Sequence, residues 1–449
     1  MSLPVTKTSL SSSSKSLASL APKKKLSLAS ADISTLSNSS KTFSLDDIKN
    51  LSEDDAVNPI ARRKFEYPSD KDYVDAQNIE GDMPLIIDDA LRFGIQMGAS
   101  DIFIKPNSPV WYKVNGKAFP VKDFQWLSAE DFYTASMNLI LPTLEAVFTQ
   151  ELELDTSYTI QDPPFSGARF RLNFSRSDGN GICLVFRYIN PRIETPETLH
   201  VPQSVIDWTE SNSSLYLITG ITGSGKSTTL ASLIRKIQLE KPYHIITIEN
   251  PIETIYPRDG LSVVTQREIN QDTLSFTNAL TSAMRQAPNC ILIGEIRTKE
   301  EINAALEASL TGHLTFSTTH TLCAESTMNR LMAPFKDAEK MDVLERLSTS
   351  LKGIMAQQLL QRKDGTGRVA VHEVLQVNED IQEYISKNNL VAIRDYMYDR
   401  KITMNHQLLK LVKDGTITFS EGITHSTNPH EFNNLAHAPG LSDIINYNE

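Results

Sequence analysis

The stretch LYLITGITGSGKSTTL, residues 215–230, decides the fold of this chain. Its first five residues form a short apolar run that ends before Gly220, which is typical of a buried strand. Residues 229–237, TLASLIRKI, repeat apolar side chains at helical spacing. The segment between them, GITGSGKS at 220–227, matches G-x-x-x-x-G-K-[ST] at every fixed position. The sequence therefore predicts a strand, a phosphate-binding loop and a helix in succession.

The predicted loop has the composition that a triphosphate requires. Several backbone N–H groups must converge on the phosphates, and glycine allows the positive φ values that aim them. The following helix adds free N–H groups and the positive end of its dipole. We expect Lys226 to contact the β- and γ-phosphates and Ser227 to ligate Mg²⁺. The candidate nucleotide-binding residues here are Gly220, Ile221, Thr222, Gly223, Ser224, Gly225, Lys226, Ser227 and Thr228.

Composition narrows the class of protein. The 449 residues, 40% hydrophobic and 22% charged, are enough for two or three globular domains. There is no 18-residue apolar run, so no membrane insertion is expected. The three cysteines are widely spaced, which indicates neither a zinc site nor a disulfide framework and fits a cytoplasmic protein. The net charge of −11 disfavours nucleic-acid binding as the main role, but does not exclude a local basic patch.

Changes along the chain predict its domain organisation. Residues 1–44 hold 15 serines, and six lysines against one aspartate, a composition that favours disorder. An Asn-Gly pair at 115–116 within alternating apolar residues predicts a hairpin in a compact α+β domain. Three prolines in 191–203 indicate a linker. The predicted segments are a disordered Ser/Lys-rich extension (1–66), an N-terminal domain (67–190), the linker (191–203), a larger domain with a helical C-terminal part (204–430) and a tail (431–449).

Strands alternate with helices in the larger domain. The apolar runs LYLIT, HIITIE, CILIGEI and HLTFSTTH predict strands of a parallel sheet that is covered on both faces. Beyond about residue 340 the pattern is mostly helical, with predicted helices at 344–360, 379–388 and 404–415. The predicted fold class is therefore α/β, with a smaller α+β domain before it.

Two predicted strands end in a glutamate. Ligands of doubly wound sheets bind at the carboxyl ends of the strands, so both side chains could reach the phosphate loop. Glu295, after CILIG, is the candidate Mg²⁺ residue, and Glu249, after HIITI, is the candidate base that orients water. The alternative is that these acids solvate a sheet edge or cap a helix. Glu253 is either a second base or a salt-bridge partner.

Histidines and arginines supply further candidates. His320 follows a strand and could sense the γ-phosphate, whereas His313 precedes the same strand and could fix its loop, although lone histidines are usually structural. Arg169 and Arg171 share one face of a strand. They form either an ordinary salt-bridged surface or a source of arginine for a nucleotide at a neighbouring interface. The remaining arginine candidates are Arg187, on a strand of the small domain, and Arg285, on a helix before Glu295.

Seven motifs in order give the chain a family resemblance. Residues from about 85 to 435 resemble the type II/type IV secretion ATPase superfamily, most closely the pilus retraction ATPases and the related Dot/Icm-type and conjugative transfer ATPases. The motifs are ASDIFIKP (99–106), GITGSGKST (220–228), ITIENPIE (246–253), TQREI (265–269), ILIGEIR (291–297), TGHLTFSTTHT (311–321) and GRVAVHEVL (367–375).

The resemblance carries expectations about fold, assembly and activity. It implies a PAS-like N-terminal domain, a RecA-like ATPase domain and a homohexamer that uses ATP and Mg²⁺. Such a ring would power a secretion or pilus machine through inner-membrane components, from the cytoplasmic side. By resemblance, Glu249 is the catalytic base, Glu295 the Walker B glutamate, and His313 and His320 the His-box pair. Arg169, Arg171 and Arg187 are expected to approach the phosphates.

Departures from the family pattern keep two alternatives open. Asn250, Asn289 and Thr298 stand where aspartate is usual, which would remove negative charge around the site. AIRDYM at 392–397 keeps only the first half of the retraction motif AIRNLI, and the four-cysteine zinc module of related ATPases is absent. One alternative is a low-turnover, nucleotide-dependent assembly factor. The other is a DNA-translocating motor, against which the acidic balance argues.

Overall fold

The computed structural model describes residues 81, 83–179 and 181–437. The predicted extension at 1–66 and the part of the predicted tail beyond 437 lie outside the described residues. Within them, no helix is both long enough and apolar enough to cross a membrane.

The small lobe, residues 83–189, is built on one antiparallel sheet. The elements of this lobe are α1 (Ile87–Gln96), β1 (Asp101–Ile104), β2 (Val110–Val114), β3 (Lys117–Val121), α2 (Ala129–Met137), α3 (Pro142–Glu151), β4 (Glu153–Thr159), β5 (Arg169–Ser177) and β6 (Gly181–Ile189). The six strands lie in the order β3–β2–β1–β6–β5–β4. The predicted hairpin at Asn115 and Gly116 is present between β2 and β3, and both residues have positive φ, as a two-residue turn requires.

The large lobe, residues 203–436, follows residues 191–202, which contain turns but neither helix nor strand. Its elements are α4 (Gln203–Ile206), a 3₁₀ turn (Asp207–Glu210), β7 (Ser214–Thr219), α5 (Lys226–Glu240), β8 (His244–Glu249), β9 (Val263–Glu268), α6 (Phe276–Ala283), β10 (Cys290–Ile293), α7 (Lys299–Leu310), β11 (Leu314–Thr319), α8 (Ala324–Met332), α9 (Asp337–Ser350), β12 (Leu351–Gln361), β13 (Arg368–Gln376), α10 (Glu379–Ser386), α11 (Leu390–Asp399), α12 (Met404–Lys413), α13 (Phe419–Thr424) and α14 (Pro429–Ala436).

One seven-stranded sheet organises the large lobe, in the order β13–β12–β7–β11–β10–β8–β9. Neighbouring strands are parallel except for the β12–β13 pair. Successive residues of β7 are buried in different cores: Leu215 and Leu217 share one with Leu306 of α7, whereas Ile218 shares the other with Leu233 of α5. The predicted parallel sheet with both faces covered is therefore correct.

The prediction of a helix at 344–360 is wrong in its second half. The helix ends at Ser350, and residues 351–361 form β12, paired with β7 on one side and β13 on the other. Most residues of β12 are buried, because a strand in the interior of a sheet is covered on both faces. The predicted tail also starts too early, since Phe432 of α14 is fully buried.

The sheet order brings the candidate chemistry to one edge. The strands β7, β8, β10 and β11 run in parallel, so their carboxyl ends meet at a common side of the sheet, here called the carboxyl edge. The phosphate loop follows β7, Glu249 ends β8, Glu295 lies two residues beyond β10, and His320 follows β11. The opposite side, where these strands begin, is called the amino edge.

Candidate active site

The loop between β7 and α5 presents its backbone to solvent at the carboxyl edge. Gly223 and Gly225 have φ values of 81° and 89°, in the left-handed region where glycine is favoured. Gly225 is the N-cap of α5 and makes no side-chain capping bond, so the first N–H groups of the helix have no side-chain acceptor there. Ser227 and Thr228 in the first turn of α5 are exposed. The predicted anion-binding geometry is present.

Lys226 lies folded over the same loop. Its Nζ donates to the carbonyl oxygens of Gly220, at 2.6 Å, and Ile221, at 3.0 Å, and the residue is only 8% exposed. Burial lowers the pKa of Lys226, and the nearby carboxylates of Glu295 and Glu253 act in the opposite direction. The ammonium group and the acids from the ends of two other strands therefore share one site.

The phosphate loop packs against β12, the strand that was predicted as the second half of a helix. A Cβ atom on Gly220 would lie 2.3 Å from the carbonyl oxygen of Gln357, so only glycine permits this contact. The buried Gln357 side chain donates to the carbonyl of Ser224 at 2.7 Å and accepts from Thr229 Oγ1 at 2.9 Å. Gln357 therefore fixes both the loop and the first turn of α5.

Glu249 occupies the position expected of a base. Burial raises its pKa to about 7, against the effect of hydrogen bonds from Thr247 and Gln266, and the charge of Glu253 raises it further. Thr247 Oγ1 donates to Glu249 Oε1 at 2.6 Å, which holds the carboxylate in place. A carboxylate with a pKa near neutrality can accept a proton from water at physiological pH.

Glu295 and His320 contact each other at the carboxyl edge. His320 Nε2 lies 3.2 Å from Glu295 Oε2, and Arg297 donates to the same oxygen. Gly294 packs closely against β8: its N–H donates to the carbonyl of Ile248 at 2.8 Å, and a Cβ atom there would lie 3.2 Å from the same carbonyl oxygen. Arg297 was not among the sequence candidates, although it lies in the GEIR motif.

A threonine cluster connects the phosphate loop to the His320 loop. Thr219, the last residue of β7, accepts from the N–H of Thr321 at 2.9 Å and donates to its carbonyl at 2.7 Å. Thr319 donates to the Thr219 hydroxyl at 3.0 Å. The signal in the sequence that could have predicted this cluster is the presence of threonines at the ends of two strands that lie next to each other in the sheet. The cluster fixes the spacing between the loop and His320.

Each of the three candidate arginines of the small lobe has a carboxylate partner. Arg169 Nη2 donates to Glu268 of the large lobe at 2.7 Å. Arg171 lies 3.9 Å from Glu253 and 3.5 Å from Asp155, so Glu253 is a salt-bridge partner. The remaining arginine, Arg187, pairs with Asp101 at 2.8 Å and its side chain is 60% exposed. Glu253, which contacts Arg171, is also close enough to Lys226 of the phosphate loop to influence its pKa.

The structure does not bring Arg285 and His313 to the phosphate loop of their own chain. Arg285 is exposed in the turn after α6, and His313 precedes β11, with Nδ1 2.9 Å from the carbonyl of Ala308. Both lie toward the amino edge, about 20 Å from the carboxyl edge for a six-residue strand at ~3.3 Å per residue. Any contact of either side chain with a nucleotide would have to be made to a neighbouring copy.

The expectation that three departures all remove charge from the site is wrong for Asn289. Asn289 lies at the amino edge, where its Oδ1 accepts from the N–H of His244 at 2.9 Å. Asn250 directly follows Glu249 at the carboxyl edge. Thr298, three residues after Glu295, is the N-cap of α7, and with Glu301 it forms a reciprocal capping box.

We expect Thr298→Ala to lower the free energy of unfolding by about 1 kcal/mol, because the hydroxyl that accepts from the N–H of Glu301 is lost. Aspartate is an equally good N-cap, so Thr298→Asp should stay within about 0.5 kcal/mol of the parent. Urea unfolding of the two variants measures the difference. An equal loss in both would contradict the capping role.

The donor set fits a hard divalent cation. The exposed hydroxyl of Ser227 and the carboxylate of Glu295 are oxygen ligands of the kind that Mg²⁺ prefers. The described contacts of Glu295 with His320 and Arg297 both use Oε2. Glu295 also lies near Lys226, which the loop holds against its own carbonyls. The residues present therefore suit the predicted Mg²⁺ roles.

Comparison with known proteins places this geometry in a family. A family model described as "Type II/IV secretion system protein" matches residues 202–424. A twitching motility protein of Neisseria gonorrhoeae is 39% identical over 295 residues, which cover 65% of this chain and 77% of the relative. The type IV pilus retraction ATPase PilT of Pseudomonas aeruginosa is 36% identical over 308 residues, covering 68% and 87% of the two chains.

Solved structures agree with the sequence relatives. The pilus retraction motor PilT with bound ADP superposes with a TM-score of 0.71 and 35% identity, covering 77% of this chain and 98% of that chain. The Legionella pneumophila ATPase DotB gives 0.69 and 28%, with the same coverage of 77% and 98%. The predicted resemblance and the predicted fold class, with its RecA-like large lobe, are confirmed. This chain belongs to the type II/IV secretion system protein family.

Proposed function

We propose that this protein is an ATPase that binds ATP at the phosphate loop and hydrolyses it to ADP and phosphate. One observation carries the proposal: Glu249 ends a strand at the edge that also holds the phosphate loop, Glu295 and His320. A carboxylate at the edge that binds the phosphates can accept the proton of an attacking water.

Each group has a role that follows from its position. The N–H groups of the loop and the Lys226 ammonium stabilise the β- and γ-phosphates, and Glu249 accepts the proton of the attacking water. Ser227 and Glu295 would hold Mg²⁺, which would supply positive charge to offset the negative charge of the phosphates. His320, through its contact with Glu295, holds that carboxylate in position.

We further propose that the protein works as a homohexamer that powers a secretion, conjugation or type IV pilus machine. It would dock on inner-membrane components from the cytoplasmic face. Membership of the family and the similarity to the pilus retraction motor PilT and the ATPase DotB support this assignment. A heterologous interface whose rotation closes would form the ring, and would bring the amino edge of one copy within reach of the next. ATP cleavage would change the orientation of the small lobe relative to the large lobe.

Phosphate release from the purified full-length protein, with and without DNA, tests the proposal. We expect Mg²⁺- and ATP-dependent turnover that double-stranded DNA changes by less than about twofold, because the chain is acidic, with a net charge of −11. Native mass spectrometry with ATP should show a six-chain ring. Tight ATP binding without phosphate release would favour the assembly-factor alternative. DNA-stimulated, salt-sensitive turnover would favour the translocating motor.

A further inference from the structure

A buried carboxylate at the end of β9 gathers donors from both lobes. Glu268 is 2% exposed. From the small lobe, Ser157 Oγ donates to it at 2.8 Å and Arg169 Nη2 at 2.7 Å. From the large lobe, the N–H of Ile252 donates at 3.1 Å, and Gln271 Nε2 donates to the other oxygen. The carboxylate therefore has its cationic partner and its Ser157 donor only while the two lobes stay together.

Arg169 is committed to the same cluster with all three of its nitrogens. Nε donates to the carbonyl oxygen of Ile252 at 2.9 Å, and Nη1 donates to Thr159 Oγ1 at 3.1 Å. Nη2 donates to Ser157 as well as to Glu268. The side chain is 15% exposed, and burial lowers its pKa, against the effect of Glu268. A guanidinium held in this way has little capacity left for a phosphate.

The two side chains hold the backbone of one residue, Ile252, at both its N–H and its carbonyl group. The N–H of Ile252 donates to Glu268, and its carbonyl accepts from Arg169. Ile252 is three residues beyond Glu249 and one before Glu253, in the loop that connects β8 to β9. The position of this loop is therefore set by an ion pair whose members are on different lobes.

We propose that Arg169 and Glu268 are positioning residues, which clamp the backbone N–H and C=O of Ile252 and so place the Glu249 carboxylate only when the lobes are in contact. This inference rests on the proposed ATPase function and assigns Arg169 a role other than phosphate binding. A buried ion pair is costly to leave half-made, because the remaining charge is uncompensated. The pair thus makes the base-bearing loop sensitive to the orientation of the small lobe.

The test is a double-mutant cycle on the full-length protein with Arg169→Gln, Glu268→Gln and the double variant. We expect each single change to lower kcat by about 10- to 100-fold, since a misplaced base loses rate without losing substrate. The KM for ATP should stay within about threefold, and the double variant should be no worse than the more impaired single variant. If Arg169 instead bound phosphate, Arg169→Gln would raise KM and the two effects would multiply, which would overturn the inference.

Hydrogen exchange gives a readout that does not depend on turnover. The peptide containing Ile252 should exchange at least about tenfold faster in both single variants, because its N–H loses either the charged form of its acceptor or the arginine that holds that acceptor in place. If the parent protein fails to hydrolyse ATP, the proposed function fails, but the exchange measurement still decides the clamp. Unchanged exchange in both variants would refute it. If either variant does not fold, Ser157→Ala removes one shared donor and should raise the same exchange rate.

Arg92→Gln is the matched control. Arg92 has a side chain that is 9% exposed, and it bonds Asp89 and the carbonyls of Asp162 and Pro164 entirely within the small lobe. Its loss should lower Tm but leave kcat within about twofold and the exchange of Ile252 unchanged. A fall in kcat equal to that of Arg169→Gln would mean that the clamp variants act only through stability.

Discussion

Lys226→Ala abolishes most ATP turnover, with an expected fall in kcat/KM of about 10²- to 10³-fold. The substitution removes the one ammonium that the loop holds, and charge-assisted hydrogen bonds to phosphate oxygens are among the strongest that a protein makes. Alanine is a good helix former, so α5 should still begin at this residue. Phosphate release at varied ATP concentration measures the loss, and binding of a fluorescent ATP analogue separates affinity from chemistry.

Lys236→Ala provides the control from the same helix. Lys236 pairs with Glu240 on the surface of α5, away from the loop. Its removal should change kcat/KM by less than about twofold, because exposed i,i+4 pairs contribute only ~0.3–0.5 kcal/mol. Retention of full turnover by Lys226→Ala would remove the assigned role of the loop lysine.

Glu249→Gln lowers kcat by about 10²- to 10⁴-fold while ATP binding is retained. Glutamine keeps an oxygen that can accept from Thr247 Oγ1, so the local packing changes little. It cannot accept a proton from the attacking water. Rapid-quench or steady-state phosphate release, alongside ATP titration, checks that the loss is in chemistry.

The dependence of kcat/KM on pH in the parent protein should also reveal the role of Glu249. The carboxylate form of Glu249 is the active form, and it is present above its pKa of about 7. The kcat/KM should therefore fall about tenfold per pH unit below pH 7, as the group becomes protonated. Glu249→Gln should lack this acid limb. A parent profile flat from pH 6 to 8 would argue against Glu249 as the base.

Glu253→Gln distinguishes the two glutamates. The charge of Glu253 raises the pKa of Glu249, so its removal should shift the acid limb of the profile to lower pH without abolishing it. If Glu253→Gln instead abolished turnover while Glu249→Gln retained it, the roles of the two residues would be exchanged. The contact of Glu253 with Arg171 makes the first outcome the expected one.

Local patterns were sufficient to predict the core of the site. The phosphate loop is a contiguous segment whose glycines, lysine and serine function within eight residues, so no long-range information is needed. The strand-end positions of Glu249, Glu295 and His320 also follow from short apolar runs, because carboxyl ends of parallel strands meet at one edge. The observed contact of His320 with Glu295 is a direct consequence.

Strand β12 shows where local pattern stops being informative. Its apolar run follows directly from helix α9, and a fully buried strand cannot be distinguished from a buried helix by periodicity alone. Pairing with β7 and β13 decides between them, and the partners of Ile354 are distant in the chain: Leu217 of β7 lies 137 residues earlier, and Leu375 of β13 lies 21 residues later. Consequently the sequence alone did not identify Gln357, which supports the phosphate loop, as a site residue.

The sequence alone determined the fold class, the nucleotide loop and the set of acids at the carboxyl edge, because each depends on neighbours in the chain. Tertiary structure decided which partner each charge takes. Arg169 meets Glu268, 99 residues away, through packing of two lobes, and the pKa of Glu249 is set by burial among residues from several segments. Partner choice and desolvation depend on three-dimensional proximity, which no local spacing encodes.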